Sequence, residues 1–179
     1  AACSSSPSSP TYVDITLDPT QAAENYVMQA DSSEGSIQND WLIMALKAAV
    51  EADNVDQAQR LINRISKQPL SEVQQAEWQL ARAQLLLNQR DYNQALSQLN
   101  FQSNWTLPDE QWKDYHQVRV QLYTLLGNHF AASKELVSLS SYLPQSKQQD
   151  LSDEIWSNLN QSSQYELASY NASSKEGVL

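Results

Sequence analysis

The sequence predicts an all-α fold built as an array of stacked helical hairpins, and three observations carry that prediction. Glycine is scarce, with 3 in 179 residues, while Gln, Ala, Leu and Glu are abundant, a composition that favours long helices over a turn-rich β fold. Three segments repeat at a common period of 37 residues. Each repeat ends near a proline (Pro69, Pro108 and Pro144), which cannot continue a helix and so separates one hairpin from the next.

The elements follow in order. Ser4 to Pro10 is rich in Ser and Pro and cannot bury enough surface to fold, so residues 1–17 read as a flexible tether. At Asp18-Pro19 the pattern changes: Asp18 suits an N-cap and Pro19 the first helical position. From there helices are expected over 19–31, 37–53, 55–67, 71–89, 91–100, 109–126, 128–142, 147–160 and 162–171. Together, 18–179 is expected as one helical domain, a length sufficient for a sizeable core.

The period of 37 is visible at several positions at once. Trp41, Trp78 and Tyr115 share it, as do Ala58, Ala95 and Ala132, then Ile62, Leu99 and Leu136, then Ala48, Leu85 and Leu122. Turns between paired helices fall in the same register, at Asp53-Asn54, Arg90-Asp91 and Gly127-Asn128. Each unit is therefore two antiparallel helices, with a large aromatic of the first beside a small alanine of the second, where the backbones approach. One hairpin cannot hide its apolar face, so neighbours must stack. Trp156 looks like a fourth first-helix aromatic, although it lies 41 residues after Tyr115.

Composition excludes several functions. Lys plus Arg number 11 against 21 Asp plus Glu, a net charge of −10 that repels phosphate backbones and argues against nucleic-acid binding. The lone cysteine, Cys3, rules out an intrachain disulfide and a thiolate metal cluster. The most apolar stretch, Trp41 to Val50, is interrupted by Lys47 and falls short of the roughly 18 residues a membrane span requires. Three glycines leave no room for a phosphate-cradling loop. His116 and His129 stand 13 apart, which fits no metal motif, and read as polar surface or groove residues. Asp109-Glu110 and Asp153-Glu154 are expected at helix starts, complementing the helix dipole. No catalytic residue, metal ligand or cofactor is expected.

If a partner binds, the inner surface formed by first helices is the expected place, with Asn39, Gln79, Lys113, His116 and Tyr123 as candidate contacts; the alternative is that this face meets only solvent or a further domain.

The pattern resembles the tetratricopeptide repeat. Ala58-Ile62-Ile65 and Ala132-Leu136-Leu139-Pro144 match that family's second-helix spacing, and Ala95-Leu99 does so until Gln102 departs. The small residue expected four places after the first-helix aromatic is Ala45 in one unit but Arg82 and Arg119 in the others. About four irregular hairpins are expected on this resemblance.

Ala1-Ala2-Cys3-Ser4 resembles the end of a bacterial lipobox, which implies lipidation of Cys3 after signal cleavage; the alternative is a free thiol in a tail. Acyl chains contribute about 0.8 kcal/mol per buried methylene, so several would anchor the protein firmly. Ser4 in place of Asp is similar to the outer-membrane sorting pattern.

A lipidated cysteine, a polar tether and irregular hairpins together resemble the N-terminal domain of the LpoA family of outer-membrane lipoproteins. The likeness is carried by Tyr26-Val27-Met28-Gln29-Ala30, by Asn39 through Val50, by Gln89-Arg90-Asp91-Tyr92-Asn93-Gln94-Ala95 and by Ile155-Trp156-Ser157-Asn158-Leu159. It implies a non-catalytic role in peptidoglycan synthesis: supporting, by reach and contact, the activation of a bifunctional class A penicillin-binding protein. It further implies that a larger C-terminal domain makes the main contact with that synthase, with peptidoglycan as a further partner. The alternative is a periplasmic repeat domain that carries a peptide or glycan in its groove.

Overall fold

The structure, a computed structural model, describes residues 18–164 and 166–168. The tether with Cys3 lies outside the described residues, as do 165 and 169–171 of the helix expected over 162–171. The helices are α1 (Pro19–Asp31), α2 (Gly35–Glu51), α3 (Val55–Ile65), α4 (Glu72–Asn88), α5 (Tyr92–Gln98), α6 (Asp109–Leu125), α7 (His129–Ser140) and α8 (Gln145–Gln161). No strand occurs among the described residues, and no helix there is long and apolar enough to cross a membrane.

The fold is divided into two compact units between Asn88 and Gln89. In the first, α2 packs against α1, α3 and α4. A helix with neighbours on several sides must be apolar most of the way round. Leu42, Ile43, Ala45, Leu46 and Ala49 are accordingly all fully buried. Lys47, the one charge in that stretch, reaches out and pairs with Glu77 of α4. The N-termini of α2 and α4 are tied by Gln74, whose buried amide donates to the Ser36 carbonyl at 3.0 Å and to Asp40 at 2.6 Å. Gln74 also forms a reciprocal capping box with Ser71. In the second unit α6 packs against α5 and α7, and α7 against α8.

The three turns in the 37-residue register share one backbone solution. Asp53, Arg90 and Gly127 all adopt the left-handed conformation, with φ of 52°, 63° and 72°. Each is followed by a residue whose side chain caps the next helix: Asn54 accepts from Gln57 N, Asp91 from Gln94 N and Asn128 from Ala131 N. At the first and third turns the bonds form a Schellman motif. Asn54 N donates to Ala49 O at 2.9 Å and Asn128 N to Tyr123 O at 2.8 Å. Three residues separate one helix from the next at each turn, and within each unit the pairs α2–α3 and α6–α7 pack side by side as in tetratricopeptide hairpins.

The repeat positions are buried as the register requires. Ala58, Ala95 and Ala132 are fully enclosed, and Ile62, Leu99 and Leu136 nearly so. Three expectations need correction. Asp18 precedes α1 without a side-chain capping bond; its carbonyl accepts from Ala22 N while Pro19 opens the helix. Asp153 and Glu154 lie in the interior of α8, exposed to solvent, and not at a helix start. Trp156 is 63% exposed, because α8 turns Leu151, Ile155 and Asn158 toward α7 and the four extra residues leave the tryptophan off that face.

Candidate binding surface built on aromatic–arginine pairs

Residues four apart share a helix face. On α2, α4 and α6 the register aromatics Trp41, Trp78 and Tyr115 are followed at that spacing by Ala45, Arg82 and Arg119. Ala45 is fully buried, and Trp41 stacks instead on Tyr26 of α1 at 5.8 Å between centroids. On α4 the Arg82 guanidinium lies 4.4 Å from the centre of the Trp78 ring. On α6 Arg119 lies 5.1 Å from the ring of Tyr115 and 5.3 Å from that of Tyr123. Both arrangements are cation–π contacts, which strengthen as water is excluded.

In the second unit the arginine is completed by a carboxylate. Glu135 of α7 accepts from Arg119 Nε at 2.9 Å through Oε1, which also lies 2.8 Å from the charged Nη2, while its Oε2 lies 2.8 Å from His116 Nδ1. These side chains are only 13–19% exposed. Burial pushes the Glu135 carboxyl up, but the hydrogen bonds from His116 and Arg119 outweigh it and hold the group below the usual carboxylate range. Burial likewise works against the Arg119 cation, and Glu135 reverses the balance, leaving its pKa raised. Arg119 Nη2 also donates to the Tyr123 hydroxyl at 3.1 Å. Burial raises the phenol pKa of Tyr115.

Aromatic rings surround this network. Phe101, in the segment between α5 and α6, stacks on Tyr115 at 4.3 Å and meets Trp112 edge-on at 5.5 Å. His116 is flanked by Trp112 at 6.3 Å and Tyr142 at 5.8 Å. The positions 74 residues earlier, two periods back, are Leu42, Ala45 and Leu61, all buried and apolar. The third hairpin thus carries an ionic network where the first carries plain core.

The five expected groove contacts are divided between the two units, Asn39 and Gln79 in the first and Lys113, His116 and Tyr123 in the second. Asn39 is a correction: it is 2% exposed, and its amide donates to the Pro69 carbonyl at 2.9 Å, tying α2 to the α3–α4 connection. Gln79 is half-buried on α4 in the first unit. Lys113 pairs with Glu110 one turn back on α6. Within the second unit His116 and Tyr123 are brought together, through Glu135 and Arg119. Arg82, Arg119, Glu135 and Tyr142 escaped the sequence reading as site residues. The signal for the arginines was present, since both stand where a small residue was expected. His129 bonds to Asn158 of α8 and takes no part with His116. Among the described residues no group of three His, Cys, Asp or Glu side chains could hold a metal ion.

The model of the LppC putative lipoprotein family matches residues 16–179. The chain belongs to the LppC putative lipoprotein family. Among similar proteins, a penicillin-binding protein activator LpoA from Vibrio antiquarius is 51% identical over 179 residues, covering 100% of this chain and 30% of its own length. One of the same name from Vibrio cholerae is 54% identical over 160 residues, covering 89% of this chain and 26% of its own. The LppC-family chain therefore spans about three tenths of the length of these relatives. The crystal structure of the E. coli LpoA amino-terminal domain superposes with a TM-score of 0.58 at 22% identity, covering 87% of this chain and 71% of that one. Full-length LpoA from Haemophilus influenzae gives 0.51 at 17% identity, with 82% of this chain and 27% of that one covered. At such identities these matches bear on the fold alone, and they support the tetratricopeptide-like all-α assignment of this LppC-family chain.

Proposed function

We propose that this chain is the helical domain of an outer-membrane lipoprotein, anchored at Cys3, that supports activation of a bifunctional class A penicillin-binding protein in peptidoglycan synthesis. One observation carries the reading: relatives sharing about half their residues across the whole chain bear the name penicillin-binding protein activator. The domain works without chemistry of its own, by reach and protein–protein contact. The main contact with the synthase belongs to the part of the longer relatives beyond this chain, and Asn39, Gln79, Lys113, His116 and Tyr123 are not its principal contacts. Lipidation at Cys3 agrees with the family's name, and outer-membrane placement with Ser4.

The test is a glycan crosslinking assay with a purified class A penicillin-binding protein. Addition of the 179-residue chain should leave crosslinking near its basal rate, while a full-length protein carrying this domain should raise it. Full stimulation by the short chain, abolished by alanine at His116 and Tyr123, would make this domain the activating contact. No stimulation by the full-length protein would remove the activator reading altogether. Mass spectrometry of the mature native protein should find acyl mass on Cys3.

A further inference from the structure

Trp78/Arg82 and Tyr115/Arg119 occupy the same two repeat positions, one period of 37 residues apart, and in each the guanidinium stacks on the ring. They differ in what completes the guanidinium. Arg119 directs Nε and Nη2 to Glu135. The residue 37 places before Glu135 is Gln98, which carries no charge. Among the described residues no carboxylate pairs with Arg82. Its pKa is lowered by burial, with no neighbouring acid to offset that. The Trp78 Nε1 proton is also without an acceptor, although it is buried. A buried indole N–H without an acceptor and a half-buried guanidinium without a carboxylate thus share one helix turn, in a chain where carboxylates outnumber cations 21 to 11. A half-buried cation without a counter-ion is costly.

We propose that the Trp78–Arg82 pair is a receptor for a carboxylate carried by a peptide, which takes the place on Arg82 that Glu135 fills on Arg119. The chemistry is specific. A guanidinium presents two parallel N–H groups that match a carboxylate, and the stack on the indole fixes its plane before the ligand arrives. The indole face supplies an apolar wall for the carbon next to the carboxylate. A phosphate would suit the fork as well, but a net charge of −10 opposes a dianion more than a monoanion. The assignment does not depend on the activator reading, because its probe is a short peptide and its readout is local.

The experiment uses the full 179-residue chain labelled with nitrogen-15. The Arg Nε–H and Trp Nε1–H resonances are assigned with Arg82→Lys and Trp78→Phe. Acetyl-Ala-Glu-Ala-amide and its uncharged counterpart acetyl-Ala-Gln-Ala-amide are titrated at matched ionic strength, with inorganic phosphate as a third arm. The Glu peptide should move the Arg82 and Trp78 resonances saturably. The Gln peptide should not, and Arg119, already occupied by Glu135, should stay still. Arg82→Gln should weaken binding about tenfold or more, and Arg82→Lys should weaken it less, because it keeps the charge but loses the fork. Circular dichroism and thermal melting establish that both variants are folded. Equal response to the two peptides, unchanged affinity in folded Arg82→Gln, or no saturable shift would overturn the receptor. Tighter binding of phosphate than of the Glu peptide would overturn its assignment to carboxylates.

Discussion

At the residue scale Glu135 has the largest predicted effect, because one carboxylate partners both an arginine and a histidine on another helix. Removing one member of a buried ion pair leaves the other desolvated and unpaired. Glu135→Gln should therefore lose about 2–3 kcal/mol in a urea denaturation series at pH 7, somewhat less than for a fully buried pair. The pH dependence has a definite sign. The folded pKa of Glu135 lies below its ordinary value, so its contribution is complete above the unfolded value of about 4.3 and is lost as pH falls through the lower folded value. The stability gap between wild type and variant should close on acidification through that window. A gap as wide at pH 3 as at pH 7 would mean that the network does not stabilise the protein through this charge. Trp78 is the second sensitive residue. It is half-buried against the core of the first unit, and Trp78→Ala should cost about 3 kcal/mol, the lower end for a tryptophan truncation. A loss below ~1 kcal/mol would show that its packing contributes little.

At the scale of elements, the turns decide how helices pair. Asp53, Arg90 and Gly127 carry the same left-handed backbone, but only one of them is a glycine. Without a Cβ the conformation is free of the clash that costs other residues roughly 1–2 kcal/mol. Arg90→Gly should therefore stabilise the protein by about 0.5–1 kcal/mol, part of the relief being lost to the greater freedom of the unfolded glycine chain. Gly127→Ala should destabilise by about 1 kcal/mol through strain alone, since no neighbouring atom crowds an added Cβ there. Thermal melting of both variants checks the pair, and a melting temperature lowered by Arg90→Gly would contradict the shared turn geometry. Removing the cap that follows tests the same logic: Asn128→Ala should cost about 1 kcal/mol, because it strips the acceptor from Ala131 N.

At the scale of the whole molecule, each of the two units carries its own helix packing, and the second repeat pair, α4 and α5, is divided between them. The functional expectation at this scale is the crosslinking result: the 179-residue chain by itself leaves the synthase near its basal rate. The sequence alone determined eight of the helices and the common register of the turns between them. Those features depend on local causes: a left-handed residue, a capping side chain one place later, a proline that stops a helix, and apolar residues spaced to share a face. The tertiary structure decided which polar residues are available. Asn39 looked like a groove contact, yet three helices crowd around α2 and leave it inside. Trp156 looked like core, yet α8 presents Leu151 and Ile155 to its neighbour instead. Glu135 meets His116 and Arg119 across 19 and 16 residues of chain, a distance at which no local pattern operates. Arg82 lacks such a partner for the same reason, because pairing depends on what the fold brings alongside a residue and not on its neighbours in the chain.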